Sequence, residues 1–274
     1  MIGAIAGDII GSRYEGSRAK VADFPLFLRS SRFTDDTVCS LAVANAIMVD
    51  GNFAKHLRRL CRCYPDAGYG GMFRRWFAVD DEPAYGSWGN GAPMRVSAVG
   101  WLARSIDEVD TLAEAQASVS HSHPDAIIAS RAVARAIFLL SQGKETADVE
   151  ESISKECSYD LSAGAIGTRP RFDITAKGTA QTGLSIALRS SSYEAAIRDV
   201  VLLGGDTDTL ACVAGSVAEA IHGVPQEIAI KAKRRLPPDL LAILKEFDLR
   251  RNIERKASDR TPGRGGNLRK AAKQ

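Results

Sequence analysis

Histidine is scarce in this chain of 274 residues: only His56, His121, His123 and His222 occur. They are too few and too scattered to build a histidine-rich metal centre. Cysteine is nearly as rare. Cys39, Cys61, Cys63, Cys157 and Cys212 are odd in number and form no CxxC pair, which excludes a disulfide framework and makes a reducing cytoplasm the expected setting. The Cys61-x-Cys63 pair reads as incidental. Aromatic residues make up 7% of the chain, whereas alanine and glycine are frequent, a balance that favours close-packed helices over a β-sandwich. No window approaches the roughly 20 apolar residues of a membrane span. No basic residue precedes Arg13, so neither a signal peptide nor a membrane anchor is expected.

The net charge of +3 is unevenly spread. Residues 251–274 hold eight Lys/Arg against two acids, or +6, leaving the preceding 250 residues at −3. With Pro262, Gly263, Gly265 and Gly266, this last stretch reads as a basic flexible tail behind one domain over residues 1–250. A solvated tail is expected there; nucleic acid is not an expected partner, although the charge would permit it.

Apolar residues recur at helical spacing through most of the domain. The pattern predicts helices over 36–49, 53–64, 95–105, 111–119, 124–141, 147–157, 175–189, 192–203, 208–222 and 225–236. Breaks fall at Asp50-Gly51, Gly68–Gly71, Ser87–Pro93, Gly204-Gly205 and Gly223-x-Pro225. No alternating Val/Ile/Thr run calls for a sheet, so the expected fold is an all-α bundle. Two of these helices open alike, with Asp36-Thr37-Val38 and Asp208-Thr209-Leu210. After Asp208 no charge occurs until Glu219, which marks an interior helix.

The openings are acidic: Thr34-Asp35-Asp36-Thr37 and Asp206-Thr207-Asp208-Thr209. Helix capping needs one oxygen-bearing side chain, and each segment supplies four. Plain capping and a metal site both remain open at this point. If the two segments converge inside the protein, their carboxylates repel one another unless protons or cations intervene. Carboxylate and hydroxyl oxygens suit Mg²⁺ or Mn²⁺. Separately, Gly86-Ser87-Trp88-Gly89-Asn90-Gly91 could offer N–H groups to a diphosphate and a flat face to a base, yet such a loop is also what an ordinary turn looks like.

Five ordered blocks carry a family resemblance: Gly3–Glu15 (GAIAGDIIGSRYE), Phe33–Thr37 (FTDDT), Ser87–Arg95 (SWGNGAPMR), Ser120-His121 with Pro124, and Leu203–Thr209 (LGGDTDT). In these the chain resembles the ADP-ribosylglycohydrolases, over residues 3 to about 225. The resemblance implies an orthogonal multi-helix bundle and hydrolysis of the bond joining ADP-ribose to a modified target, most of all ADP-ribosyl-arginine protein. It implies a binuclear Mg²⁺ or Mn²⁺ centre with Thr34, Asp35, Asp36, Asp206, Asp208 and Thr209 as ligands. Gly86, Ser87, Trp88, Asn90, Gly91 and His121 would contact ADP-ribose. Asp35 and Asp206 are the expected catalytic carboxylates, Asp206 rather than Asp208 assisting proton transfer, with Glu15 gating the entrance. Asp8 is left as a capping or supporting acid, Tyr69 is placed in the cleft, and residues 158–173 on its rim. The rivals are a non-catalytic ADP-ribose-binding module, a hydrolase of serine, O-acetyl or nucleic-acid linkages, and another Mg²⁺-dependent hydrolase.

Overall fold

In a computed structural model the chain is described over residues 1–163, 166 and 172–258. The described residues form thirteen helices: α1 (Ile2–Gly11), α2 (Asp35–Val49), α3 (Phe53–Cys63), α4 (Gly71–Ala78), α5 (Ser97–Leu102), α6 (Ile106–Ser118), α7 (Pro124–Ser141), α8 (Thr146–Cys157), α9 (Ala176–Arg189), α10 (Tyr193–Leu203), α11 (Thr207–His222), α12 (Gln226–Lys233) and α13 (Pro238–Ser258). No strand forms among the described residues; two isolated bridges, Ser17 with Gly205 and Gly89 with Thr175, replace a sheet. The all-α architecture is the one expected. No described helix is long and apolar enough to cross a membrane.

Three helices lie outside the spans read from the sequence. The α1 segment IGAIAGDIIG holds three glycines, which lower intrinsic helix propensity by ~1 kcal/mol each relative to alanine. Tertiary contact overrides that penalty. Gly3, Gly7 and Gly11, one turn apart, lie against α11 so closely that added Cβ atoms would sit 2.4 Å from the Gly215 carbonyl oxygen, 2.0 Å from that of Ala211 and 2.2 Å from that of Thr207. Residue numbers rise along α1 as they fall along α11, so the pair is antiparallel and in backbone contact. Tyr193 donates from its hydroxyl to the Gly3 carbonyl at 2.7 Å, and Thr207 from Oγ1 to that of Gly11 at 2.8 Å. Helix α11 is buried on every side from Thr207 to Glu219 and also packs on α9, α10 and α7.

The short α4 is carried by Phe73, Trp76 and Phe77, which its few residues do not reveal as a periodic stripe. Helix α13 buries Leu240, Leu244 and Phe247 between charged residues. The helix continues to Ser258, past the boundary expected at residue 250. Arg251, read as the start of a flexible tail, instead stacks on Trp101 at 3.5 Å and donates to Glu219 Oε1 at 2.8 Å. Residues 259–274 lie outside the described residues. Elsewhere the expected Arg95–Ser105 helix shrinks to α5, while α6 starts five residues before its expected opening at Thr111, with Ser105 as its cap.

The α1–α11 contact yields a test. Gly7→Ala forces a methyl into the Ala211 carbonyl, and the stability loss expected is roughly 3 kcal/mol. Urea denaturation of the two proteins measures it; an unchanged midpoint would contradict the packing described.

Candidate metal and nucleotide site

The N-termini of α2 and α11 point toward the same buried volume, and Asp8 projects into it from α1. Loose backbone amides at a helix N-terminus favour negative charge, and at α2 that role falls to Asp8. Its Oδ2 accepts from the Thr34 amide at 2.9 Å, the Thr37 amide at 3.2 Å and the Thr37 hydroxyl, while Oδ1 takes the Thr34 hydroxyl at 2.7 Å. Asp8 therefore caps a helix 26 residues away. The capping reading holds at α2, where Thr34 Oγ1 accepts from the Asp36 amide at 3.3 Å, and fails at α11, where Asp206 occupies the N-cap position yet its carboxylate accepts no cap bond. It instead takes Asn90 Nδ2 at 2.6 Å.

The two acidic segments meet. Thr209 Oγ1 lies 3.3 Å from Asp36 Oδ2, joining positions 173 residues apart. Carboxylate oxygens of Asp8, Asp36 and Asp208 lie within 4.8 Å of one another, and so do those of Glu15, Asp206 and Asp208. Asp208 belongs to both groups. Asp8, Asp36, Asp206 and Asp208 are buried, Asp35 is half-buried and Glu15 is exposed. Among the described ion pairs none reaches any of these six acids.

Without a cation the cluster holds protons. Burial pushes Asp8 up to about 6 against the bonds it accepts. Burial and then Asp8 push Asp35 up to about 7. Asp36 and Asp208 rise well above the carboxylate range, first through burial and then through neighbouring carboxylates. Partial burial and Asp206 raise Glu15, with Arg32 opposing.

These residues fit a pair of hard divalent cations. Asp36 Oδ1 is buried with no hydrogen-bond partner. The donors are carboxylates and hydroxyls, which suit hard cations, and the two acid triads share Asp208. Cys61 and Cys63 do not form a second centre, since Cys61 is buried 3.8 Å from Cys39 Sγ while Cys63 is exposed.

A cleft of about 570 Å³ opens from the carboxylates. Glu15, Thr34, Asp35, Asp36, Asp206, Asp208 and Thr209 line one end. Gly86, Ser87, Trp88, Asn90, Gly91 and His121 also line it. The loop's shape is held from outside: the Asn90 amide donates to the Ile174 carbonyl at 2.9 Å, and the Ala176 amide to that of Trp88 at 2.9 Å. Trp88 remains half exposed, its ring available to a ligand. Glu15 is brought over the carboxylates by a tight turn after α1, where the Gly16 amide donates to the Gly205 carbonyl at 2.9 Å. Gly204 and Gly205 adopt φ of 85° and 91°, values that favour glycine and turn the chain sharply into α11.

Tyr69 is corrected. It is buried against Phe73 and Phe77, outside the cleft, because its flanking residues Gly68 and Gly70 leave the wall to backbone. Of the expected rim, residues 164, 165 and 167–171 lie outside the described residues, while Phe172 lines the cleft. The sequence reading did not assign Arg95, Tyr85, Phe73 and Ile174, which line it as well. Arg95 closes the SWGNGAPMR block, and that was its available signal.

A profile described as ADP-ribosylglycohydrolase matches residues 1–267. The chain belongs to the ADP-ribosylglycohydrolase family, and it is a hydrolase of that family. It is 24% identical over 311 residues to the ADP-ribosylhydrolase ARH3 of Gallus gallus, covering 82% of this chain and 85% of that protein. To the ADP-ribosylarginine hydrolase Tri1 of Pseudomonas putida (strain GB-1) it is 25% identical over 262 residues, covering 82% and 70%. A solved structure titled ADP-ribosylglycohydrolase-related protein complex shares the fold, with a TM-score of 0.69 at 21% identity over 88% of this chain and 94% of that one.

The carboxylate cluster predicts an unusual pH response. Asp8 and Asp35, raised from 3.8 to about 6 and about 7, bind more protons folded than unfolded. Their contribution to stability is full below about 4 and lost as pH rises through 6–7. The metal-free protein should therefore melt at a lower temperature at pH 8 than at pH 5. Millimolar Mg²⁺ or Mn²⁺ should restore most of the difference at pH 8 and little at pH 5. A melting temperature that rises with pH in EDTA would contradict this.

Proposed function

We propose that this protein hydrolyses the bond between C1 of the ribose and the arginine side chain in ADP-ribosylated proteins, with two Mg²⁺ or Mn²⁺ ions in the carboxylate cluster. Thr34, Asp35, Asp36, Asp206, Asp208 and Thr209 would hold them, with Asp8 tying the Thr34 segment in place. When bound, such ions position the ribose hydroxyls and lower the pKa of water.

The observation that carries this reading is the surplus of carboxylates. Asp8, Glu15, Asp35, Asp36, Asp206 and Asp208 supply six negative charges when ionised, and two divalent ions offset four. The remaining −2 suits two positive charges in the reaction. One is the guanidinium of the target, which stays cationic when modified. The other is the oxocarbenium character of the transition state, which the ions alone would disfavour. Asp206, fixed by Asn90 at 2.6 Å, is oriented to take a proton from the attacking water. Asp35, the least buried aspartate of the Thr34–Thr37 segment, faces the cleft beside Gly68, where a Cβ would lie 3.1 Å from its Oδ1. Glu15 sits exposed on a turn and gates entry. On the nucleotide side, Gly86, Ser87, Asn90 and Gly91 bracket the diphosphate, Trp88 stacks on adenine and His121 donates from the wall. The cytoplasm is the compartment this reading assumes, on the cysteine composition.

Two measurements test it. Release of ADP-ribose should be greatest from arginine-linked substrate within a panel that includes serine-linked, O-acetyl and nucleic-acid-linked forms, and EDTA should abolish it. Asp35→Ala and Asp208→Ala should each lower kcat/KM by at least about 10²-fold while far-UV circular dichroism stays helical. Binding of ADP-ribose without release in any arm would identify a reader instead, and full activity of either variant after metal control would remove the proposed centre.

A further inference from the structure

Arg95 is wholly buried, yet no carboxylate pairs with it among the described residues. Its Nε donates to Gln116 Oε1 at 2.8 Å. Its Nη2 donates to the Gln116 carbonyl at 2.7 Å and to Ser120 Oγ at 3.0 Å. Gln116 is itself oriented, because its Nε2 donates to the Ala92 and Ala113 carbonyls, both at 3.2 Å. Arg95 Nη1 is buried with no partner, and the residue lines the inner wall of the cleft.

The next link follows from valence. Arginine carries donors only, so Ser120 Oγ must accept from it. The single hydroxyl proton of Ser120 is then free for its other neighbour, His121 Nδ1, at 2.8 Å. A ring that accepts at Nδ1 carries its proton at Nε2. The opposite tautomer would leave the Ser120 proton without an acceptor in a buried site, at a penalty of about 1–3 kcal/mol. Double protonation is opposed by burial and then by Arg95, which push His121 well below the histidine range. Nε2 has no hydrogen-bond partner among the described residues. It lies beside the last glycine of the loop, where a Cβ on Gly91 would be 2.7 Å from it. Phe73 and Tyr85 hold the ring, with centroids at 6.1 and 5.7 Å.

We infer that Arg95 and Ser120 are positioning residues that lock His121 as the neutral Nε2–H tautomer, giving the cleft wall a fixed donor, backed by an unpaired positive charge, for an anionic oxygen. That the oxygen belongs to a nucleotide diphosphate rests on the function proposed above. The lock itself does not.

Ring-nitrogen NMR on ¹⁵N-histidine-labelled full-length protein without ligand reads the tautomer, with His121→Gln to assign the signals. Nε2 should be of the protonated type and Nδ1 of the bare type across neutral pH. A proton on Nδ1, or an even mixture, overturns the inference whatever the variants do. Ser120→Ala should convert His121 to a mixture and weaken free ADP-ribose binding about tenfold, read by calorimetry. Ser120→Thr, which keeps the hydroxyl, should preserve both. An unchanged tautomer and affinity in Ser120→Ala overturns the relay. Correct tautomers in a wild-type protein that does not bind ADP-ribose would overturn the nucleotide reading of the cleft and leave the lock standing.

Discussion

Repulsion among aspartates that share one buried volume is the constraint around which this fold is built. Like charges in a dry interior cost several kcal/mol unless neutralised, and among the described residues no lysine or arginine forms an ion pair with these aspartates. The protein supplies three partial remedies instead. The amide-rich starts of α2 and α11 face the cluster, threonine hydroxyls thread between the carboxylates, and protons remain on Asp8 and Asp35 up to near-neutral pH. A divalent cation held by these acids would neutralise what the three remedies leave uncompensated.

Bringing those helix starts together requires a rigid anchor, and the glycine face of α1 provides it. A helix lying in backbone contact with α11 fixes both the depth of Asp8 and the direction of the turn that carries Glu15. The same contact explains why so weak a helix former as IGAIAGDIIG is helical. Substituting any of its three interface glycines would move the carboxylates as well as loosen the core, linking stability and chemistry through one seam.

The cleft lining also holds a buried cation. Arg95 has its hydrogen bonds to Gln116 and Ser120 but no ion-pair partner among the described residues, so its charge is left to act on whatever enters the cleft. The acid cluster and the guanidinium of Arg95 thus line one cavity.

Much of this was legible in the residues. Helical spacing implied an all-α fold, the charge-free run after Asp208 implied a buried α11, and two segments of four oxygen-bearing side chains left capping and a metal site as the alternatives. What the sequence could not convey came from contacts distant along the chain. Asp8 is a lone acid among apolar neighbours until α2 is laid across it, and α1 is unconvincing as a helix until α11 supplies its partner. Arg251 belongs to a basic run until Trp101 and Glu219 hold it in α13. Ser120-His121 is only a dipeptide until Arg95, a donor with no capacity to accept, determines which way its protons point. Local pattern encodes which elements form and which groups are available; their protonation, partners and direction depend on what tertiary packing excludes water from, and only the folded chain decides that.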